Sequence, residues 1–260
     1  MSEGLNEPWD LLRGFTTARI GLGRAGAGLP SRALLDFQAA HAAARDAVWR
    51  PWDSDGFAAR LELAGEPVLR LDSQASGRAD YLKRPDKGRR LRPASRDALL
   101  AAGGGGADVA LVVSNGLSST AVERHAWPLL GLILAAIREM DLSLAPLCVI
   151  ENARVAAADE IGECLRARAV AILLGERPGL SAEDSLGIYL TYAPAVGRTD
   201  AERNCLSNIR PPAGMTYTSA AFKLRYLLSE SLRRGLSGVD LKDDSVAESE
   251  LGFSAPGLLE

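Results

Sequence analysis

Histidine is nearly absent: the 260-residue chain has two, His41 and His125, and aromatic residues make up only 5% of it. A zinc centre draws several histidine, cysteine or carboxylate ligands together at short spacing. Two histidines this far apart, with no acidic pair at metal spacing, do not supply one. Cysteine is equally sparse: Cys148, Cys164 and Cys205 form no CxxC pair, and an odd number cannot complete a disulfide set. Reduced thiols are expected. No apolar run is long enough to span a bilayer; the longest covers residues 126–137. The opening MSEGLNEPWDLLRGF lacks the basic region followed by an apolar stretch that marks a secretory signal, so a soluble, intracellular protein is expected. Neither a Walker A sequence nor a G-x-S-x-G elbow occurs. A net charge of -3 gives no general attraction for nucleic acid or a membrane.

What is present is an ordinary globular mix, 47% apolar and 24% charged. Residues 31–49 have helical period, with Leu34, Phe37, His41, Ala44 and Val48 on one face. Residues 50–106 show little regular pattern: loops, a short strand pair near 61–71 and a helix near 94–102. The glycine run 103–106 is the best candidate linker. From residue 108 the pattern changes. Valine-rich or aliphatic runs at 108–113, 147–150, 170–174 and 188–192 read as strands. Helical segments at 117–140, 160–168 and 217–234 are interspersed. This alternation predicts an α/β domain, residues 107–260, with a Rossmann-like parallel sheet and right-handed crossovers. A mainly helical and loop region, residues 1–106, precedes it. Ligands of such sheets sit beyond the carboxyl ends of the strands, here the loops 114–119, 151–160 and 175–180.

Individual motifs are weaker. Gly21, Gly23 and Gly26 satisfy G-x-G-x-x-G, but no strand leads into them and Pro30 intervenes before the helix. A closely packed, positively charged loop is the expectation. Arg84, Lys87, Arg89, Arg90 and Arg92 form a basic cluster without aromatic interleaving beyond Tyr81, expected to be a solvated or partner-facing surface. Glu176 directly follows a predicted strand, where a carboxylate can face a crevice. The polar block 198–211, with Cys205 in it, reads as a loop. Neither histidine is close in sequence to Cys205, which argues against a cysteine nucleophile.

Several strings together resemble one family: TTARIGLGRAGAGLPSRALLDFQAAHAAARDAV (16–48), YLKRPDKGRRL (81–91), DVALVVSNGLSSTAVERHA (108–126), RVAAADEIGE (154–163), GERPGLSAEDSLGIYLTYAP (175–194) and RTDAERNCLSNIRP (198–211). They resemble the small subunit of ethanolamine ammonia-lyase over most of the chain, and GERPGL and ERNCLSNIR are the most specific. The resemblance implies a hetero-oligomer in which a large TIM-barrel subunit holds ethanolamine and converts it to acetaldehyde and ammonia by adenosylcobalamin radical chemistry. The small subunit, with no catalytic residue of its own, would contact the cobalamin at the subunit interface. The resemblance carries the family's cobalamin contacts onto Val155, Glu176 and Cys205. The resemblance also implies that cobalt keeps its own dimethylbenzimidazole, which agrees with the absence of a D-x-H-x-x-G sequence, the pattern by which many cobalamin enzymes supply a histidine to cobalt. Cytoplasm or a bacterial microcompartment is the setting the resemblance allows. A stand-alone corrinoid carrier or chaperone is the competing reading.

Overall fold

The computed structural model describes residues 8–102 and 105–245. Gly103 and Gly104 of the expected linker, and the first seven residues of the expected N-terminal helical and loop region, lie outside that range. In chain order, α1 (Pro8–Arg13), α2 (Ser31–Trp49) and α3 (Ser54–Leu63) precede β1 (Val68–Asp72), α4 (Arg78–Lys83) and α5 (Pro93–Ala102). β2 (Ala107–Ser114), α6 (Ser119–Ala121), α7 (Trp127–Glu139), β3 (Leu147–Glu151), α8 (Ala157–Cys164) and β4 (Ala167–Gly175) follow. β5 (Leu186–Tyr192), β6 (Arg203–Ile209) and α9 (Tyr217–Arg234) complete the order.

The six strands form one mixed sheet in the order β1-β3-β2-β4-β5-β6. β1, β3, β2 and β4 run parallel, whereas β5 and β6 are antiparallel additions. The wholly parallel sheet expected from the alternation of elements is thus corrected. A parallel return needs a crossover of a dozen or more residues, usually a helix. Residues 176–185 contain no helix, so β5 turns back against β4. β1 also departs from expectation. It pairs with β3, and the segment just before it is the helix α3, capped by Asp53 accepting the Gly56 N–H at 2.8 Å.

Strands β2, β3 and β4 are buried on both faces, and alternate residues enter two cores. Val109, Leu111, Val113, Val149, Ala171 and Leu173 face α3, α7 and α9. Ala110, Val112, Cys148, Ile150, Val170 and Ile172 face α5 and α8. The closing helix α9 starts at a Thr216 cap and stops at Gly235 in the left-handed conformation. Its Ala220, Leu224, Leu227 and Leu228 pack inward, as their spacing predicts. Connections leave β2 and β4 in opposite directions, β2 towards β3 and β4 towards β5. Their carboxyl ends therefore flank a topological switch point, where open α/β sheets bind ligands.

The N-terminal arm is different. Of α2, only Ala47 is buried. Its apolar face is exposed towards the N-terminal end, at Leu34 and Phe37, and half-buried at Ala44 and Val48. In the glycine loop, Gly21 has φ 57° and lies so close to the Trp9 indole that a Cβ there would come within 2.4 Å of it. The close packing expected of the loop holds at Gly21 alone; a Cβ at Gly23 would meet only Pro30, at 3.8 Å, and one at Gly26 nothing within 4 Å.

Candidate functional site

A cavity of about 680 Å³ opens at the switch point. Its floor is Leu174, Gly175 and Glu176 from the end of β4, with Leu117 beyond β2 and Arg154, Val155 and Ala156 beyond β3. Tyr189, Arg203 and the loop 196–200 close one side, and Tyr81, Pro85, Arg89 and Arg90 the other. Close backbone packing makes this floor. A Cβ at Gly175 would stand 2.2 Å from the Ser118 carbonyl oxygen and 2.4 Å from that of Asn115. Glycine alone lets the 114–118 loop lie against β4.

Glu176 is held by its own chain. Ser185 Oγ donates to Oε2, Ser207 Oγ donates to Oε1 at 2.6 Å, and the Asn208 N–H donates to Oε2 at 3.2 Å. Gly187 makes room, since a Cβ there would lie 2.7 Å from Oε1. An ionised carboxylate has about four acceptor positions. Three are occupied here, which orients the group and leaves Oε1 able to accept one more hydrogen bond from a ligand.

The segment carrying Glu176 and Ser185 is clamped from behind. Asp184 accepts from Arg124 at 2.8 Å, Arg210 at 3.1 Å and His125 Nε2 at 3.3 Å. Burial pushes the Asp184 carboxyl up, but these three partners outweigh it and hold the group below the ordinary range. Burial likewise keeps the His125 pKa low. A neutral ring satisfies both neighbours, donating Nε2–H to Asp184 and accepting the Tyr217 hydroxyl at Nδ1, 2.8 Å away. His125 sits in one wider turn, Val122–Ala126, between α6 and α7; such turns are frequent at functional sites.

On the far wall, Arg203 pairs with Asp159 at 2.6 Å, both almost wholly buried. Arg203 also donates to Thr191 Oγ1 at 3.2 Å and to the Arg198 carbonyl at 2.7 Å. This ties α8, which follows Val155, to β6, which carries Cys205.

Of the three residues singled out from the sequence, Val155 and Glu176 both line the cavity. Cys205 lies on β6 directly across from Tyr189, a cavity residue, and its own surface is exposed. Although it reaches solvent, the protein packed around its sulfur pushes the thiol pKa up. The Tyr189 phenol beside it acts in the opposite direction and Glu176 adds to the rise. The rise keeps Cys205 a neutral thiol, which argues against a cysteine nucleophile. The block 198–211, expected to be a loop, holds β6.

Sequence reasoning missed Tyr81, Arg154 and Tyr189 as wall residues. Arg89 and Arg90, expected on a solvated or partner-facing surface, are exposed and in addition line the cavity. The only signal lay in the 81–91 string, whose basic residues divide. Arg84 and Lys87 are paired with Asp86 and Asp80, while Arg89 and Arg90 turn to the cavity. Among the described residues, no group of three or more His, Cys, Asp or Glu side chains converges as a metal site requires, and no helix is long and apolar enough to cross a membrane.

The model of the ethanolamine ammonia-lyase light chain family (EutC) matches residues 6–242. The chain belongs to this family. Its match runs from the arm through every strand to the end of the described core. Similar relatives are the ethanolamine ammonia-lyase small subunits of Azotobacter vinelandii, Ralstonia nicotianae and Rhodopseudomonas palustris. The first is 53% identical over 260 residues, covering 98% of this chain and 96% of that protein. The second is 54% identical over 239 residues, covering 91% and 88%. The third is 51% identical over 249 residues, covering 95% of each. Val155, Glu176, Cys205 and the clamp around Asp184 all fall inside the span that defines the light chain.

Proposed function

We propose that this chain is the small subunit of an adenosylcobalamin-dependent ethanolamine ammonia-lyase and forms one wall of the cobalamin site at its interface with a TIM-barrel large subunit. The observation that carries this reading is Glu176, fixed by three donors in the floor of the switch-point cavity with Oε1 still able to accept. The four parallel strands then play the part of a Rossmann-like domain, offering their carboxyl ends to the ligand.

The residues present suit a corrinoid. Val155 offers an apolar contact, Glu176 an acceptor for peripheral amide N–H groups, and Cys205 a neutral thiol. Arg154 also lines the cavity, and its buried Nε meets no acceptor among the described residues. A corrinoid is larger than the cavity, so this wall covers part of it and a partner must cover the rest. Bound adenosylcobalamin supplies the radical chemistry that turns ethanolamine into acetaldehyde and ammonia. This chain's residues bind and orient it and exclude water from one side.

The bare arm supports a partner. Among the described residues, nine of the fourteen exposed large hydrophobic side chains lie from Trp9 to Trp49. So dense an apolar surface on one segment marks an interaction surface, and we assign residues 8–49 to contact with the large subunit. A stand-alone carrier would have no use for it.

The test is release of ammonia and acetaldehyde from ethanolamine with adenosylcobalamin. It compares this chain alone, the large subunit of the same genome alone, and the two co-expressed. Activity is expected only in the mixture. Turnover by either chain alone, or none in a mixture whose subunits co-purify, contradicts the proposal.

A further inference from the structure

Five arginines line the cavity: Arg89, Arg90, Arg154, Arg198 and Arg203. Three are committed to carboxylates, Arg90 to Glu160 at 3.3 Å, Arg198 to Glu202 and Arg203 to Asp159 at 2.6 Å. Arg89 and Arg154 have no carboxylate partner among the described residues and no side-chain hydrogen bond. For Arg154 this is costly, because Nε is shut away from water without an acceptor.

Yet Arg154 is built into place. Its guanidinium lies 4.4 Å from the centre of the Tyr81 ring, a stacked cation–π position. Tyr81 is fully buried and anchored by its hydroxyl donating to the Ala153 carbonyl at 3.1 Å. The Arg154 N–H donates to the Gly88 carbonyl at 2.7 Å, which ties it to the turn that carries Arg89. Gly88 is wedged between them: a Cβ there would come within 2.7 Å of the Tyr81 ring and 3.1 Å of Arg154 Cγ. The result is a basic corner with two uncommitted guanidinium groups, one of them prepositioned. Such a corner fits a group with anionic oxygens that can take several N–H donors at once, and phosphate is the usual partner of that geometry.

We infer that Arg154, assisted by Arg89, binds the phosphodiester of the cobalamin nucleotide tail. This rests on the cobalamin reading above and adds to it a charged subsite distinct from the Glu176 contact. The corrin periphery is made of neutral amides, so at neutral pH the phosphodiester is the anion that the two arginines can recognise.

The experiment measures equilibrium binding of cobalamin and of cobinamide to the assembled two-subunit complex. Cobinamide keeps the corrin ring and its amides but lacks the phosphodiester. The complexes compared carry the unaltered small subunit, Arg154→Met, Arg89→Met or Glu176→Ala. Loss of one charge-assisted contact should weaken cobalamin binding by Arg154→Met about tenfold or more, with cobinamide affinity unchanged. Arg89→Met should give a smaller loss, again for cobalamin only. Glu176→Ala should weaken both ligands.

Equal loss of both ligands in Arg154→Met would overturn the inference and point to a structural role or a carboxylate of the partner. So would unchanged cobalamin affinity in Arg154→Met while Glu176→Ala weakens it. If Arg154→Met does not assemble, Arg89→Met decides: a loss confined to cobalamin supports the subsite, and no loss removes it. If neither Glu176→Ala nor either arginine variant affects either ligand, the cobalamin reading itself has failed.

Discussion

Arg203→Met should lose about 3–5 kcal/mol of stability, the range seen when one partner of a buried ion pair is removed. The side chains of Arg203 and Asp159 are 3% and 1% exposed, so water cannot replace the missing charge. Burial already pushes the Asp159 carboxyl up, with Arg203 pulling it back. Without Arg203, the rise goes unopposed and the folded state holds the proton more tightly than the unfolded state. Such a group favours folding below its unfolded pKa, and the benefit fades as pH rises through the folded value. The variant should therefore lose stability as pH increases from about 4 towards neutrality, where unfolded aspartate ionises. Chemical denaturation across that range measures this. Asp159→Leu in the same chain should recover much of the loss, because an apolar pair strands no charge. A single Arg203→Met change costing less than about 1 kcal/mol, the scale of exposed pairs, would show that water reaches the site.

Glu176→Ala should weaken cobalamin binding by the assembled complex about ten- to a hundredfold, the scale of a hydrogen bond to a charged group. The chain itself should stay folded. The carboxylate's donors are Ser185, Ser207 and the Asn208 N–H, and water entering the open cavity mouth can satisfy them. Unchanged circular dichroism with reduced cofactor affinity is the expected pair of results. Affinity equal to that of the unaltered complex would remove Glu176 from the site.

The elements legible in the sequence are those whose environment is uniform. β2 and β4 are buried on both faces, so their aliphatic runs stand out. α9 has one buried face, so its leucines recur with helical spacing. β6 was hidden because it is an edge strand with only Arg203, Leu206 and Ile209 turned inward, and its remaining residues are polar. The direction of β5 was hidden because strand patterns do not encode it; the short, helix-free connection 176–185 does. The positions of Val155 and Glu176 were legible as loops after strands, and Cys205 through the family resemblance alone. Tyr81, Arg89 and Arg154 were not legible as one corner. Tyr81 and Arg89 come before β2 and Arg154 after β3, and only the folded sheet brings them to one cavity. The apolar face of α2 was read correctly as a stripe, but the described residues cover only its C-terminal part, around Ala44 and Val48, and leave Leu34 and Phe37 exposed.

The central claim is that this chain completes the cobalamin site. It is tested most directly by measuring cobalamin affinity for the large subunit alone and after addition of this chain. Tight binding should appear only when both are present, and the amount of tightly bound cobalamin should rise with added small subunit until the large subunit is saturated. If the large subunit alone binds cobalamin as tightly as the complex does, the switch-point cavity of this chain is not part of the site.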